Sequence, residues 1–314
     1  MAVYRHALPQ LSDRIFLTDS GLETSLIFHQ GIDLPCFAAF DLLRRDNGRE
    51  IIKHYYRQHA RVAAERGVGF ILEAITWRAN PDWGRKLGYD RDELRAANLD
   101  AIALLAEVRQ EVETPASPMP ISGCIGPRGD GYRIRDRMSA EEAAAYHTLQ
   151  MDAFAQSEAD FASAFTLNYS EEASGIVRAA QRARMPVVIS FTLETDGRLP
   201  SGEALAEAIR AVDDKTDAYA SYFMVNCAHP VHFETVLDDD PMLVARLRGI
   251  RANASRKSHA ELDAATELDD GDPADLGRRL RALRERNPRL TILGGCCGTD
   301  VWHVERIALE CIAA

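Results

Sequence analysis

Three cysteines in the second half of the chain have the residue type and spacing of metal ligands. Cys227 ends the segment Met224–Cys227, and the adjacent pair Cys296-Cys297 follows Leu293–Gly295. Thiolate sulfur binds Zn²⁺ at about 2.3 Å, and a zinc site with three protein ligands and one open position is typical of catalysis. If the three side chains converge, they predict a catalytic zinc centre.

The alternative role for any cysteine is a buried thiol that packs as a small apolar side chain. We expect that role for the three other cysteines, Cys36, Cys124 and Cys311. The pair Cys296-Cys297 differs, because it lies within the glycine-rich segment Gly294–Gly298. Glycines relax the backbone, which favours an arrangement in which both thiols point at one metal.

Composition limits the class of protein that these cysteines serve. The chain has 314 residues, with 37 Lys and Arg against 48 Asp and Glu, and a net charge of −11. A net negative surface does not attract nucleic acid or an anionic membrane, so we expect a small-molecule substrate. No apolar run suits a membrane span or a secretory signal, and the six cysteines are too unevenly spread for a disulfide framework. We expect a cytoplasmic protein whose cysteines stay thiols.

Short apolar runs alternate with longer segments of helical periodicity along the chain. The runs predict eight strands, at Ile15–Thr18, Gly69–Glu73, Pro120–Gly123, Phe161–Phe165, Val187–Phe191, Tyr222–Val225, Leu247–Arg251 and Leu290–Leu293. A helix is predicted after each strand, including one over Val231–Leu237. This alternation is typical of α/β proteins with parallel strands, and it matches a single (β/α)8 TIM barrel of about 250 residues with insertions.

A doubly wound open sheet is the alternative architecture. It is disfavoured because the turn after the first strand, Thr18–Gly21, lacks the G-x-G-x-x-G pattern of a dinucleotide site. We expect one barrel domain over residues 1–314. The ends of strands six and eight then lie on the C-terminal rim, where barrel active sites are built, and this brings Cys227 close to Cys296-Cys297.

Four segments spread over nearly the whole chain form a recognisable pattern. They are LTDSGLET at 17–24, CIGP at 124–127, VNC at 225–227 and GGCCGT at 294–299. In these segments the chain resembles the homocysteine S-methyltransferase family of zinc-dependent barrels. The resemblance implies methyl transfer to the thiol of homocysteine, a step that gives methionine, or to a close thiol analogue. It also implies that Cys227, Cys296 and Cys297 hold the zinc.

The chemistry of methyl transfer is consistent with such a zinc centre. A free thiol has a pKa near 8.5, and coordination to a metal removes its proton. The substrate thiol would fill the fourth position, so that beyond the zinc-activated substrate thiolate no catalytic residue is expected. The donor has to carry an activated methyl group, as a sulfonium, a quaternary ammonium or an N5-methyl folate does, and the zinc site does not choose among them.

The resemblance also indicates residues that contact the acceptor. Asp19 matches the acidic residue of the first-strand motif that helps to hold the amino acid end of homocysteine, and a turn-forming Asp is the alternative. Thr24 and Asn226 are further substrate-binding candidates. Their polar side chains could instead cap local backbone groups.

One carboxylate of the family pattern is missing. Many members carry Glu-Thr at the end of strand four, where this chain has Phe165-Thr166. Glu73, at the end of strand two, could supply a replacement charge for the substrate ammonium, or it could be an exposed strand-end residue. The acceptor is accordingly homocysteine or another small thiol.

Two rim loops add candidates for ligand binding. Trp77 and Arg78 follow strand two, near Trp83, and aromatic faces attract methylated cations. We consider Trp77 and Arg78 donor-binding candidates, with ordinary loop packing as the alternative. The loop Arg251–Ser255 after strand seven lies where a carboxylate-binding loop is expected.

Two other functions stay open at this point. A zinc hydrolase would hold water in the open position, although that role usually uses histidine or carboxylate ligands. A zinc-retaining binding domain without methyl transfer would be consistent with the loss of the strand-four carboxylate. Zinc content and methyl transfer, measured together, distinguish these functions.

Overall fold

The computed structural model describes residues 1–238 and 240–312. Its parallel strands are β1 (Phe16–Leu17), β2 (Gly69–Phe70), β3 (Leu72–Glu73), β4 (Ile121–Ile125), β5 (Phe161–Leu167), β6 (Val187–Thr192), β7 (Tyr222–Asn226), β8 (Leu247–Ala252) and β9 (Ile292–Gly295). They form one sheet in the order β2-β1-β9-β8-β7-β6-β5-β4-β3. The two edge strands, β2 and β3, are halves of one chain segment, so this segment closes the sheet. The predicted (β/α)8 TIM barrel is confirmed.

Helices connect the strands and surround the barrel. The described α-helices are α1 (Leu22–Thr24), α2 (Gly48–Arg66), α3 (Pro81–Lys86), α4 (Arg91–Val112), α5 (Ala140–Ala155), α6 (Ser170–Ala183), α7 (Leu205–Thr216), α8 (Pro241–Arg246), α9 (His259–Asp263), α10 (Pro273–Arg286) and α11 (Val301–Cys311). No helix in the described ranges combines the length and the apolarity that crossing a membrane requires.

Local sequence signals explain where the long helices begin and end. α4 and α5 each start with a capping box, in which Asp90 or Ser139 accepts a hydrogen bond from the backbone N–H three residues on, and Glu93 or Glu142 returns one. α2 ends at Gly67, whose φ of 65° is left-handed and costs a glycine little. The caps of α4 and α5 fix helix ends that face the rim, whereas Gly67 fixes the end of α2 just before β2, at the opposite end of the barrel.

Two predicted elements differ from the structure. The predicted helix over Val231–Leu237 is wrong: the segment forms 3-10 turns at Pro230–His232 and Val236–Asp238, followed by the short helix α8. Pro230 and Pro241 each occupy a first helical turn, where proline is tolerated, but Pro241 also prevents a helix from running through it. The second difference is the break of predicted strand two at Ile71, which produces nine strands from eight predicted ones.

Large apolar side chains fill the inside of the barrel. The buried interior cluster includes Phe16, Ile71, Phe161, Tyr222 and Met224. Side chains two positions apart on a strand share a face, so Glu73 points to the same side as Ile71, one layer closer to the C-terminal rim. The filled lower barrel therefore leaves the polar strand ends as the floor of a mouth.

Candidate active site

The three candidate metal ligands meet at this mouth. Cys227 follows β7 and Cys296-Cys297 follow β9, and their sulfur atoms all lie within 4.8 Å of one another. The Sγ atoms of Cys227 and Cys297 are 3.8 Å apart. Sulfur ligands at about 2.3 Å from a tetrahedral ion lie roughly 3.8 Å from each other. The donor set and its spacing therefore fit a metal ion.

Two of these cysteines are bonded to each other. Cys227 and Cys296 form a disulfide, with Cα atoms 5.4 Å apart. The expectation that all cysteines stay thiols is therefore wrong for this pair, whose Cα separation lies in the range that a disulfide requires. Cys36, Cys124, Cys297 and Cys311 are free. Cys124 and Cys311 are buried as expected, whereas Cys36 is exposed, so the expectation of a buried thiol is wrong there.

The backbone around the cysteines is tightly constrained. Cys227 has a left-handed φ of 53°, a conformation that costs a non-glycine residue free energy and is common at functional sites. In the Cys296-Cys297 segment, a Cβ on Gly294 would overlap Thr18 Oγ1, and Gly298 has a φ of +79°. The predicted backbone freedom therefore applies to Gly298, whereas Gly294 is needed for close packing against the first strand.

Two side chains that sequence reasoning did not select contact the cysteines. The hydroxyl of Tyr132 lies 3.7 Å from Cys297 Sγ, and its ring stacks on His259 with centroids 4.0 Å apart. His259 contacts the Cys227 carbonyl through Nε2 at 2.6 Å. Neither residue lies at a strand end, so periodicity carried no signal for them.

Asp19 is buried beside the cysteines, where its Oδ1 faces a guanidinium without forming a hydrogen bond and its Oδ2 accepts a hydrogen bond. Its Oδ1 lies 2.7 Å from Nη2 of Arg251, and the Tyr55 hydroxyl donates to Oδ2 at 3.1 Å. Tyr55 lies on α2, far from Asp19 in sequence. Asp19 is therefore engaged in an ion pair and a hydrogen bond before any ligand arrives.

Thr24 makes the local backbone contact that was the alternative to substrate binding, whereas Asn226 contacts residues that are distant in sequence. The substrate-binding role of both side chains stays a prediction. The Thr24 hydroxyl donates to the Gly21 carbonyl at 3.0 Å and accepts from the Gly298 amide at 3.2 Å. Asn226 Oδ1 accepts from the Thr166 amide at 2.9 Å, and its Nδ2 contacts Cys296 Sγ at 3.9 Å. Both side chains thus hold the segments that carry the cysteines.

Glu73 is buried on the floor of the mouth, so an exposed strand-end role is wrong. Neither carboxylate oxygen has a hydrogen-bond partner within the described ranges. Burial raises the pKa of Glu73 to about 7, while the charge of Arg251 and the nearby hydroxyls of Ser122 and Ser163, which are bonded to each other, act in the opposite direction. An unpartnered buried carboxylate is costly to keep in a folded protein, and the structure places this one in the wall of a cavity.

Arg78 lies over the tryptophans of the second loop. Its Cζ is 4.3 Å from the ring centroid of Trp77 and 3.9 Å from that of Trp83. The guanidinium thus covers a face of each ring, and its Nη1 donates to the Gly129 carbonyl at 2.8 Å. Trp77 and Arg78 both line the cavity, where their donor-binding role stays a proposal.

One cavity of about 440 Å³ is lined by the three cysteines together with Asp19, Glu73 and Tyr132. Its size is that of a small-molecule site. Seven Asp and Glu residues and two Arg residues, Arg78 and Arg251, line it, and Phe165 adds an apolar wall. The cavity is therefore acidic, and it brings a thiol cluster together with fixed charges of both signs.

A parallel α/β barrel with such a site at its C-terminal mouth is the architecture of a barrel enzyme. The family model of homocysteine S-methyltransferase matches residues 16–311. The chain belongs to the homocysteine S-methyltransferase family, and it is a methyltransferase. No match was found among curated proteins.

Solved structures of the homocysteine methyltransferase MmuM from Escherichia coli have the same fold. The metallated form aligns with a TM-score of 0.75 at 18% identity, over 97% of this chain and 99% of that chain. The oxidized form aligns with a TM-score of 0.74 at 20% identity, over 97% and 98% of the two chains. At these identities the likeness is one of fold.

Proposed function

We propose that the protein is a zinc-dependent S-methyltransferase that moves an activated methyl group to the thiolate of homocysteine, giving methionine. The observation that carries this proposal is the convergence of three cysteine sulfurs beside a buried, unpartnered carboxylate in one cavity. Zinc, when bound, would keep the substrate thiol deprotonated at neutral pH. Cys227, Cys296 and Cys297 would hold it after reduction of the disulfide, a state that the cytoplasm favours.

The protein's own side chains bind and orient the acceptor. Glu73 offers two free acceptor oxygens to the substrate ammonium. Asn226, Tyr132 and His259 fix the cysteine segments through the contacts described above, and Phe165 excludes water from one wall. The thiolate lone pair forms the new S–CH3 bond while the bond from the methyl group to the donor breaks and its electron pair leaves with the donor. No proton moves in that step, so no general base is required.

The charge of the cavity favours a cationic methyl donor. Its lining has seven carboxylate residues against two arginines. Burial raises the pKa of two of the seven, Glu23 and Glu73, to about 7, and the acids outnumber the arginines whether or not this pair is ionised. Opposite charge raises the local concentration of a ligand in a cleft. A sulfonium or a quaternary ammonium therefore fits better than an anionic folate.

The pH dependence of acceptor binding follows from Glu73. Its pKa of about 7 lies above the ordinary carboxyl value, and ammonium binding requires the ionised form, so affinity for homocysteine should rise with pH. Between pH 6 and pH 8 the ionised fraction grows roughly tenfold for such a group. Arg251 favours its ionisation and Asp19 opposes it.

The measurement for this pH effect is a ratio of dissociation constants. Homocysteine is compared with 4-mercaptobutanoate, which has the same thiol and carboxylate but no ammonium, so the ratio cancels the titration of the thiol. We expect the preference for homocysteine to increase about tenfold from pH 6 to pH 8. A ratio that does not change with pH would show that Glu73 does not contact the ammonium.

A direct assay tests the proposed activity. The reduced, zinc-loaded protein is incubated with homocysteine and one representative of each donor class: S-adenosylmethionine, glycine betaine and 5-methyltetrahydrofolate. We expect methionine from a cationic donor. Zinc binding without methyl transfer from any donor would favour the binding-domain alternative, and thiol-independent hydrolysis would favour the hydrolase.

A further inference from the structure

We propose that Arg251 binds the carboxylate of the acceptor thiol, and that Asp19 is a positioning residue for Arg251 rather than the group that binds the substrate ammonium. The inference rests on the proposed function and specifies its acceptor as a thiol that carries a carboxylate. It assigns each charged end of an amino acid thiol to a different side chain, with Glu73 at the ammonium.

The guanidinium of Arg251 is held rigidly on one edge. Its Nε donates to the Gly295 carbonyl at 3.1 Å and its Nη2 to the Ser20 carbonyl at 3.2 Å, and Nη2 also lies 2.7 Å from Asp19 Oδ1. Asp19 and Ser20 belong to the loop after β1, and Gly295 is the last residue of β9, directly before Cys296. Arg251 is thereby fixed beside the thiol cluster before a ligand binds.

The other edge of the guanidinium is available. Nη1 makes no hydrogen bond within the described ranges, and it is not one of the fully buried unpartnered atoms. The side chain lines the cavity. Arginine presents five N–H donors and pairs well with planar carboxylates, so the two N–H groups of Nη1 form a carboxylate-binding edge.

The neighbouring polar side chains that follow β8, the strand that was predicted as the seventh, already donate hydrogen bonds within the protein. Asn253 Nδ2 donates to the Cys227 carbonyl at 3.1 Å, and the Ser255 hydroxyl donates to Asp269 at 2.8 Å. The loop predicted to bind a carboxylate therefore does so, on this proposal, through its first residue, Arg251.

Phe165 explains why the guanidinium is free for a ligand. Arg251 Cζ lies 5.0 Å from the centroid of the Phe165 ring, a cation–π contact. A carboxylate at position 165 would pair with Arg251 and occupy its open edge. Because the apolar ring of Phe165 leaves the open edge of the guanidinium unpaired, the missing carboxylate at position 165 allows Arg251 to bind the carboxylate of a ligand.

Four thiols of equal chain length separate the two charges: homocysteine, 4-mercaptobutanoate, 3-mercaptopropan-1-amine and propane-1-thiol. Their dissociation constants for the reduced, zinc-loaded protein are measured by calorimetry, beside KM and kcat for methyl transfer. Wild-type protein should bind the two carboxylate-bearing thiols about ten- to a hundredfold tighter than their counterparts without the carboxylate. Equal affinities would overturn the proposal without any variant.

Arg251→Lys keeps the charge but removes the planar fork. We expect it to weaken homocysteine and 4-mercaptobutanoate by at least about tenfold, mainly through KM, with little effect on 3-mercaptopropan-1-amine. Zinc content and the circular-dichroism melting curve serve as controls for folding. Equal weakening of all four thiols, or none, would contradict an anchor for the carboxylate.

Asp19→Asn distinguishes positioning from direct contact. If Asp19 orients Arg251, the variant weakens both carboxylate-bearing thiols, with or without an ammonium. Weaker binding only of the two thiols that carry an ammonium, homocysteine and 3-mercaptopropan-1-amine, would instead show that Asp19 binds the ammonium. That result would overturn this part of the proposal. Propane-1-thiol separates the test of the proposed function from the test of Arg251, because its methylation requires neither a carboxylate nor an ammonium contact. If no thiol is methylated, the proposed function fails. The binding measurements still test Arg251 in that case.

Discussion

Replacing Cys297 with serine is expected to remove most of the bound zinc and to abolish thiol methylation. A serine hydroxyl is a far poorer zinc ligand than a thiolate, and the two remaining sulfurs, those of Cys227 and Cys296, are one fewer than the three protein ligands of a catalytic zinc site. Metal content after zinc loading under reducing conditions, measured beside methyl transfer, tests this. Loss of activity with full zinc content would contradict the proposed ligand set.

Cys311→Ser is the matched control. Cys311 is buried, whereas Cys297 is partly exposed, and Cys311 lies at the end of α11, outside the cavity. The same atom change there should leave zinc content and methyl transfer unchanged. A loss of zinc in this variant as well would mean that the effect at Cys297 is an indirect consequence of disturbed packing.

The barrel should survive removal of the metal. A chain of this size buries enough surface to fold without a metal staple, and the cysteines lie on the rim rather than in the interior cluster. The circular-dichroism spectrum of reduced, chelator-treated protein should match that of the zinc-loaded form. Collapse on chelation would assign the zinc a structural role and contradict a catalytic one.

Glu73→Gln is expected to weaken homocysteine binding by about ten- to a hundredfold at pH 8. A charge-assisted hydrogen bond to an ammonium in a buried cavity contributes ~1.5–3 kcal/mol, and each factor of ten is about 1.4 kcal/mol. The amide keeps the size of the side chain and removes its charge. Calorimetric titration of the zinc-loaded protein with homocysteine measures the effect.

Two comparisons make the Glu73 result specific. 4-Mercaptobutanoate lacks the ammonium, so its affinity should change little in the same variant. Glu267→Gln makes the same charge change at an exposed position of the cavity rim and should bind homocysteine as the wild type does. Equal loss for both thiols, or no loss for either, would place the ammonium elsewhere.

The sequence predicts the fold well because barrel strands are local apolar runs. All eight predicted strands overlap observed ones, and the strand ends place Cys227 and Cys296-Cys297 together, as expected. The failure at Val231–Leu237 also has a local cause, since Pro230 and Pro241 limit helix length at both sides of that segment. The helical periodicity of apolar residues does not by itself show where a proline ends a helix.

The charge partners within the site were not predictable from the sequence. Asp19 pairs with Arg251 and Tyr55, residues that come from different strands and helices, and no local pattern determines which distant side chains meet. For the same reason Tyr132, whose hydroxyl approaches Cys297, was missed. The burial of Glu73 was open for a related reason, because a strand-end position is compatible with either face of the barrel mouth.

Zinc K-edge X-ray absorption of the reduced, zinc-loaded protein, with and without homocysteine, tests the central claim most directly. With Cys227, Cys296 and Cys297 as ligands and the substrate thiol in the fourth position, the free protein should show three sulfurs and one lighter ligand, and homocysteine should change this to four sulfurs at about 2.3 Å. An unchanged spectrum on adding homocysteine, or a first shell dominated by nitrogen and oxygen, would contradict the account.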